Sequence, residues 1–266
     1  WDPWGSPRMV SIDKTFFKYD KNGNPVYKTS FGKEIIYKYD ALDRLIEIED
    51  KKVCKTFYEY DGLHRRISKT VFKYLDHEYQ LDKKTNFIFE NQNEIGAFDE
   101  NGKIFQLRTI GNSQTAEIAS AIVFELDSKY YIPIYDISSN VAALISADDN
   151  KVCINYRYSV FGEEEILDRY TNPLSSSPIN NPWGFSSKRL DEESGLTFFG
   201  RRYYDQELGR FLTPDPKGYT DSQNLYAYLL NDPISKIDLY GLFSFPGFAV
   251  GINIPLGGGT SPSGGS

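Results

Sequence analysis

The sequence predicts an all-β fold of consecutive antiparallel hairpins in one curving or spiral sheet, and three observations carry that reading. Aromatic residues make up 15% of the 266, with 20 Tyr and 18 Phe against a single Met, a composition suited to half-buried strand faces. The segments Phe17-Lys18-Tyr19-Asp20, Tyr37-Lys38-Tyr39-Asp40 and Tyr58-Glu59-Tyr60-Asp61 superpose as aromatic, charged, Tyr, Asp, spaced 20 and 21 residues apart. Turn residues follow each Asp: Lys21-Asn22-Gly23-Asn24, Ala41-Leu42-Asp43-Arg44 and Gly62-Leu63-His64-Arg65.

Each unit therefore reads strand, turn, strand. Its two aromatics lie two apart and share one face, while Lys or Glu takes the other. A hairpin of about 20 residues cannot bury its own aromatic face, so successive units must pair edge to edge. Tyr19, Tyr39 and Tyr60 should then occupy equivalent positions and stack in register. Weaker copies continue at Phe98-Asp99-Glu100-Asn101-Gly102, Tyr135-Asp136 and Tyr156-Arg157-Tyr158-Ser159-Val160-Phe161-Gly162, which carries the repeats to about residue 165. The regular spacing favours Tyr as a packing residue and Asp as a turn cap over a sugar or calcium site.

Residues 171–178 are loop by composition, and 181–242 are dense in aromatics, Arg and Asp-Pro steps. Domain boundaries are expected at 1–165, 166–242 and 243–266. Gly, Ser and Pro supply 14 of the last 24 residues, with no charged residue, His or Cys. That tail holds no catalytic side-chain chemistry and reads as linker or passenger. The chain starts at Trp1 without an initiator Met, inside a continuing array, and shows no signal-peptide pattern or membrane span. We expect a piece of a longer protein.

Lys plus Arg is 30 against 37 Asp plus Glu, for a net charge of −7, which argues against nucleic acid as a partner. Cys54 and Cys153 are far apart in a chain too large to need staples, and read as free thiols. With only His64 and His77 beside them, no metal site has the usual ligand spacing. Neither His sits in a nucleophile-base arrangement, and no cofactor is implied.

The second region carries a resemblance. Trp183-Gly184-Phe185, Arg189-Leu190-Asp191-Glu192-Glu193-Ser194-Gly195-Leu196 and Gly200-Arg201-Arg202-Tyr203-Tyr204-Asp205 are followed by Gly209-Arg210-Phe211-Leu212-Thr213-Pro214-Asp215-Pro216-Lys217-Gly218. Asn224-Leu225-Tyr226-Ala227-Tyr228, Asn231-Asp232-Pro233 and Asp238-Leu239-Tyr240-Gly241-Leu242 complete the series. These ordered blocks resemble the bacterial Rhs/YD-repeat proteins, including the C subunits of insecticidal Tc toxins. The resemblance implies a hollow β-shell closed by an Rhs-associated core, with a C-terminal toxic segment held inside. It also implies that the core is an aspartyl protease that cuts its own chain after the last motif.

Carried over residue by residue, the resemblance points to Asp215 and Asp238 as the carboxylate pair and to Leu242–Phe243 as the bond cut. Two such carboxyls close together share a proton, one activating water while the other acts as acid. Arg201, Arg202 and Arg210 are candidates to face the pair or a developing oxyanion, with Arg210 first among them. Asp-Pro steps are also ordinary turn-starters, so each Asp has a structural reading as well. One departure stands out: Leu239 occupies a place where the family usually has Pro, and the fixed φ of Pro is lost. The resemblance implies an exported effector that encloses its own C-terminal cargo, with a toxin-complex or secretion-system protein as partner. The alternative is a non-catalytic structural or cell-surface adhesion module, since teneurin-type proteins share such repeats.

Overall fold

The structure, a computed structural model, describes residues 11–12, 14–111, 117–219, 223–233, 236–242 and 245–246. Sixteen strands between Ser11 and Leu174 form one open antiparallel sheet in which neighbours in space are neighbours in sequence. The ladder runs beyond residue 165 through Glu164–Asp168 and Pro173–Leu174. Here the Asp turn persists at Asp168, but the strand before it reads Glu-Glu-Ile-Leu and lacks the aromatic beat.

One turn recurs along the sheet. At Asp20, Asp40, Asp61, Asp99, Asp136, Ser159 and Asp168 the N–H three residues on donates to that residue's carbonyl, and its own N–H donates to the carbonyl four residues on. The residue three on holds positive φ, from 58° at Asp43 to 96° at Gly162. This is a type I turn closed by a bulge with one left-handed residue. The Asp side chain supports it: Asp61 Oδ1 accepts from the N–H groups of Leu63 and Arg65, both at 2.9 Å, and Asp136 accepts from Ser138 and Asn140 in the same way. The left-handed residue is Gly23 in one repeat and His64 in another, so Gly is not the signal. Asp is.

Tyr19, Tyr39 and Tyr60 end their strands at matching positions, each just past a register shift. The Tyr60 hydroxyl donates to the Leu45 carbonyl at 2.7 Å, and Tyr158 reaches Val141 at 3.1 Å, so these tyrosines tie one repeat to the turn before it. Burial alternates as strand geometry requires: in Cys54–Tyr60, Cys54, Thr56 and Tyr58 are buried while Phe57 is exposed.

A second, four-stranded sheet (Arg189–Asp191, Leu196–Phe198, Tyr203–Asp205, Arg210–Phe211) lies against the buried face of the first. Leu196, Phe198, Tyr203 and Leu212 share a core with Tyr37, Leu45, Ile48 and Tyr58 of the repeats, and Trp183 is sealed in another around Phe124, Leu144 and Ile154. Buried ion pairs cross the same boundary: Arg66 with Asp191, Arg189 with Glu94, and Lys28 with Asp205. The described residues also hold a two-stranded antiparallel sheet of Lys236–Ile237 and Phe245–Pro246 and two short 3-10 turns, at Phe185–Ser187 and Leu229–Asn231. Among them, no helix is long and apolar enough to cross a membrane.

Candidate functional site

Both candidate carboxylates cap turns as the repeat Asp does, although the Asp215 N–H donates to the Leu225 carbonyl rather than to the carbonyl four residues on. Asp215 accepts the Gly218 N–H at its carbonyl (2.9 Å) and the Lys217 N–H at Oδ1 (2.8 Å), and Gly218 has φ +68°. Asp238 Oδ1 accepts from the N–H groups of Tyr240, Gly241 and Leu242 at 3.2, 2.7 and 3.0 Å, and Gly241 has φ +71°. The turn geometry thus gives each Asp the same structural role as Asp61. Their surroundings differ.

Arg202, only 4% exposed, joins them. Its Nη2 lies 2.8 Å from Asp215 Oδ2 and 4.0 Å from Asp238 Oδ2, so the two carboxylates face one guanidinium nitrogen. Its Nε donates to the Gly241 carbonyl, its Nη1 to the Leu225 carbonyl at 3.2 Å, and its plane lies 3.7 Å from the centre of the Phe211 ring. The strand turn of Gly200-Arg201-Arg202 positions this side chain: Gly200 has φ +91° and packs by Tyr240.

Burial pushes the Asp238 carboxyl above the usual carboxylate range, against the opposing pull of Arg202, the turn N–H groups and Lys188. The repeat carboxylate Asp40 goes the other way. Partial burial would raise it, but the Arg44 hydrogen bond and the turn N–H groups outweigh that and hold it low. Asp238 therefore combines a turn-capping geometry with the proton affinity of a buried acid.

Leu242 is described and half-buried; Phe243, the residue beyond the expected cut, and the tail from 247 lie outside the described residues. A 550 Å³ cleft opens beside Asp215 and Arg202, with Arg201 and Leu242 on the same wall and Asn24, Arg44 and His64 from the repeat turns on the other. Arg210 is placed elsewhere, its guanidinium 4.3 Å from the centre of the Tyr226 ring, while the Tyr226 hydroxyl donates to the Gly23 carbonyl. Arg202 is the arginine whose guanidinium faces both carboxylates. A further side chain, Lys188, was not singled out by the sequence. It is 2% exposed, and its ammonium donates to Glu117 Oε1 at 2.5 Å and to the Leu239 carbonyl. No spacing or composition marks it, because its partners are 71 residues before it and 51 after it.

His64 and His77 are both turn residues with positive φ, and Cys54 and Cys153 are free thiols.

Comparison with known proteins agrees with this architecture. Residues 2–240 match the Teneurin YD-shell family. The chain is 30% identical to the tRNA nuclease WapA of Bacillus subtilis over 239 residues, covering 87% of this chain and 9% of that protein. It is 26% identical to the double-stranded DNA deaminase toxin A of Burkholderia cenocepacia over 252 residues, covering 88% of this chain and 17% of that one. The crystal structure of TcdB2-TccC3 superposes with a TM-score of 0.59 at 16% identity, over 86% of this chain and 14% of that one, a likeness of fold. The chain thus spans less than a fifth of each of these proteins. The match along nearly its whole length, with the sixteen-stranded sheet and the core docked upon it, makes the chain a member of the Rhs/YD-shell family, a toxin-associated group of β-shell proteins.

Proposed function

We propose that this chain is a shell segment that cuts itself between Leu242 and Phe243 and so frees the C-terminal segment it encloses. The observation that carries the reading is the convergence of Asp215, Arg202 and Asp238 on the turn that ends at Leu242. In this reading, a water from the cleft loses a proton to Asp215 as its oxygen bonds to the Leu242 carbonyl carbon. Asp238, whose proton affinity burial raises, acts as the acid and passes a proton to the departing Phe243 nitrogen as the C–N bond breaks. Arg202 faces both carboxylates and keeps the Gly241 carbonyl in place through Nε.

Intramolecularity supplies much of the rate. A tethered bond held beside the acid gains an effective molarity of ~10⁵ M or more, enough for a single turnover. The relatives named as a nuclease and a deaminase toxin support a toxic cargo carried on the same polypeptide as the shell, and an exported effector that delivers it. Toxin-complex subunits of the same fold support a partner protein that completes the shell.

The test is intact mass of the purified chain over time. Wild type should divide after Leu242, while Asp215→Asn and Asp238→Asn should each stay whole and still unfold cooperatively, at a lowered thermal transition because each loosens the buried contacts of Arg202 or of the turn. Identical masses for all three after prolonged incubation, or a rate that falls on dilution, would overturn it. A second reading, a non-catalytic shell module, draws on the 2.8 Å ion pair of Arg202 with Asp215, which also serves as a structural clamp. It requires the wild-type chain to stay whole.

A further inference from the structure

Four consecutive residues, 239 to 242, make up the turn that leads to the expected cut, and side chains hold five of its eight polar backbone groups. Asp238 takes the N–H groups of 240, 241 and 242; Arg202 takes the carbonyl of 241. The carbonyl of Leu239 goes to Lys188. We infer that Lys188, held by Glu117, is a positioning residue of the self-cleavage turn that fixes the Leu239 peptide beside Asp238. This inference rests on the self-cleavage reading above.

The geometry is that of a clamp. Lys188 lies in the segment between the 3-10 turn at Phe185–Ser187 and the strand Arg189–Asp191, which is anchored on the repeat sheet through Arg189 and Glu94. Glu117 comes from the segment just before the strand Ala121–Leu126 of that sheet. The ammonium therefore joins the repeat sheet, the core and the turn at one point. Its stem runs past Phe199 and Tyr240, with the ammonium 5.7 and 5.6 Å from their ring centres, so it has no water to retreat to. Leu239 stands where Pro would restrict φ, and the Lys188 bond restrains that same peptide from its carbonyl side. A buried ammonium that spends one donor on a backbone carbonyl is costly unless the geometry is useful, because a charge sealed from water needs its partner close at hand.

The groups that face Asp238 are Arg202 and Lys188, both favouring its ionised form, with Asp215 beyond Arg202, Glu117 beyond Lys188, and Tyr228 on the aromatic side. Removing the Lys188 charge should raise the proton affinity of Asp238; removing the Glu117 charge should lower it. The two substitutions thus push the pH profile in opposite directions, which a purely structural pair would not do.

The experiment follows self-cleavage of the full chain by intact mass across pH for wild type, Lys188→Met, Glu117→Gln and the Asp238→Asn control, with folding checked by circular dichroism and thermal transition. Both variants should cleave on the order of 10- to 100-fold more slowly from the loosened turn. The alkaline limb, where Asp238 loses its proton, should move to higher pH in Lys188→Met and to lower pH in Glu117→Gln. If Lys188→Met fails to fold, the downward shift in Glu117→Gln alone supports the inference and its absence overturns it. Wild-type rates, or slower cleavage with an unmoved profile, overturn it while leaving the self-cleavage reading intact, provided Asp238→Asn stays whole. A wild-type chain that never divides overturns both.

Discussion

Arg66 and Asp191 meet at 2.5 Å with side-chain exposures of 1% and 0%, and this pair fastens the four-stranded sheet to the repeats. The guanidinium lies 4.5 Å from the Phe87 ring centre and 4.4 Å from that of Phe198, and donates to the Tyr203 hydroxyl at 2.9 Å. Lys69 adds a second cation 3.0 Å from Asp191. Taking away one partner strands a charge where water cannot reach it. Arg66→Met and Asp191→Asn should each lower unfolding free energy by about 3–5 kcal/mol, read from urea denaturation. A loss under about 1 kcal/mol would mean that the apolar contacts of Leu196, Phe198 and Leu212 dock the core unaided.

The same pair predicts how the protein responds to acid. Burial alone would raise the Asp191 pKa, but Arg66 and Lys69 outweigh it and push the carboxyl down to about 2. The folded value lies below the unfolded one of about 3.9, so Asp191 contributes its full stability above about pH 4 and loses it as pH falls toward 2. The gap in urea midpoint between wild type and Asp191→Asn should narrow between pH 5 and pH 2.5. A gap that stays constant would show that the pair does not titrate in this window.

The repeat turn separates two kinds of left-handed residue. At His64, φ +65° strains a side chain that the turn does not use, so His64→Gly should leave stability unchanged or raise it by up to about 1 kcal/mol. Gly162 has φ +96°, and a Cβ there would come within 2.7 Å of the buried Phe185 ring. Gly162→Ala should therefore cost about 2–4 kcal/mol. Equal thermal shifts for the two would sink the distinction.

Hydroxyl accounting gives a sharper test of the motif tyrosines. Tyr60 donates to the Leu45 carbonyl, whereas the Tyr39 hydroxyl is buried with no hydrogen-bond partner among the described residues. Tyr60→Phe should lose about 1 kcal/mol, while Tyr39→Phe should be neutral or stabilising. Matching losses would place a bound water on Tyr39.

Much of this architecture was legible because it is local. The aromatic-charged-Tyr-Asp beat marks a strand end, a turn and a repeat within five residues, and the sheet follows from stacking such units. The turn chemistry was legible only in part: Asn22-Gly23 announces a left-handed residue, but Asp43 and His64 fill the same conformation and do not. The extension of the sheet through Glu164–Asp168 was hidden because Ile and Leu replace the aromatic pair. At the candidate site the sequence supplied the carboxylates and the Arg blocks, since each lies in a recognisable motif. It did not supply the choice of Arg202 over Arg210, nor Lys188 and Glu117, because those depend on contacts between segments 13 to 71 residues apart.

The last prediction concerns Leu239. A type I turn favours Pro at its second position, where φ near −65° is already set, and Leu239 is the second residue of the turn that Asp238 starts. The N–H groups that Asp238 holds belong to 240, 241 and 242, so Pro at 239 removes none of these bonds. The Leu239 carbonyl that Lys188 holds is kept as well. Pro also biases the residue before it toward extended backbone, the conformation a turn-initiating Asp favours. Leu239→Pro should therefore pre-set the turn, lower its conformational entropy before folding, and quicken self-cleavage while raising the thermal transition slightly. Intact mass against time, with Asp238→Asn in the same background as the blocked control, reads the rate. Slower division with an unchanged thermal transition would show that cleavage needs the peptide at 239 to leave the turn conformation, and would turn Lys188 from a clamp that assists the reaction into one that restrains it.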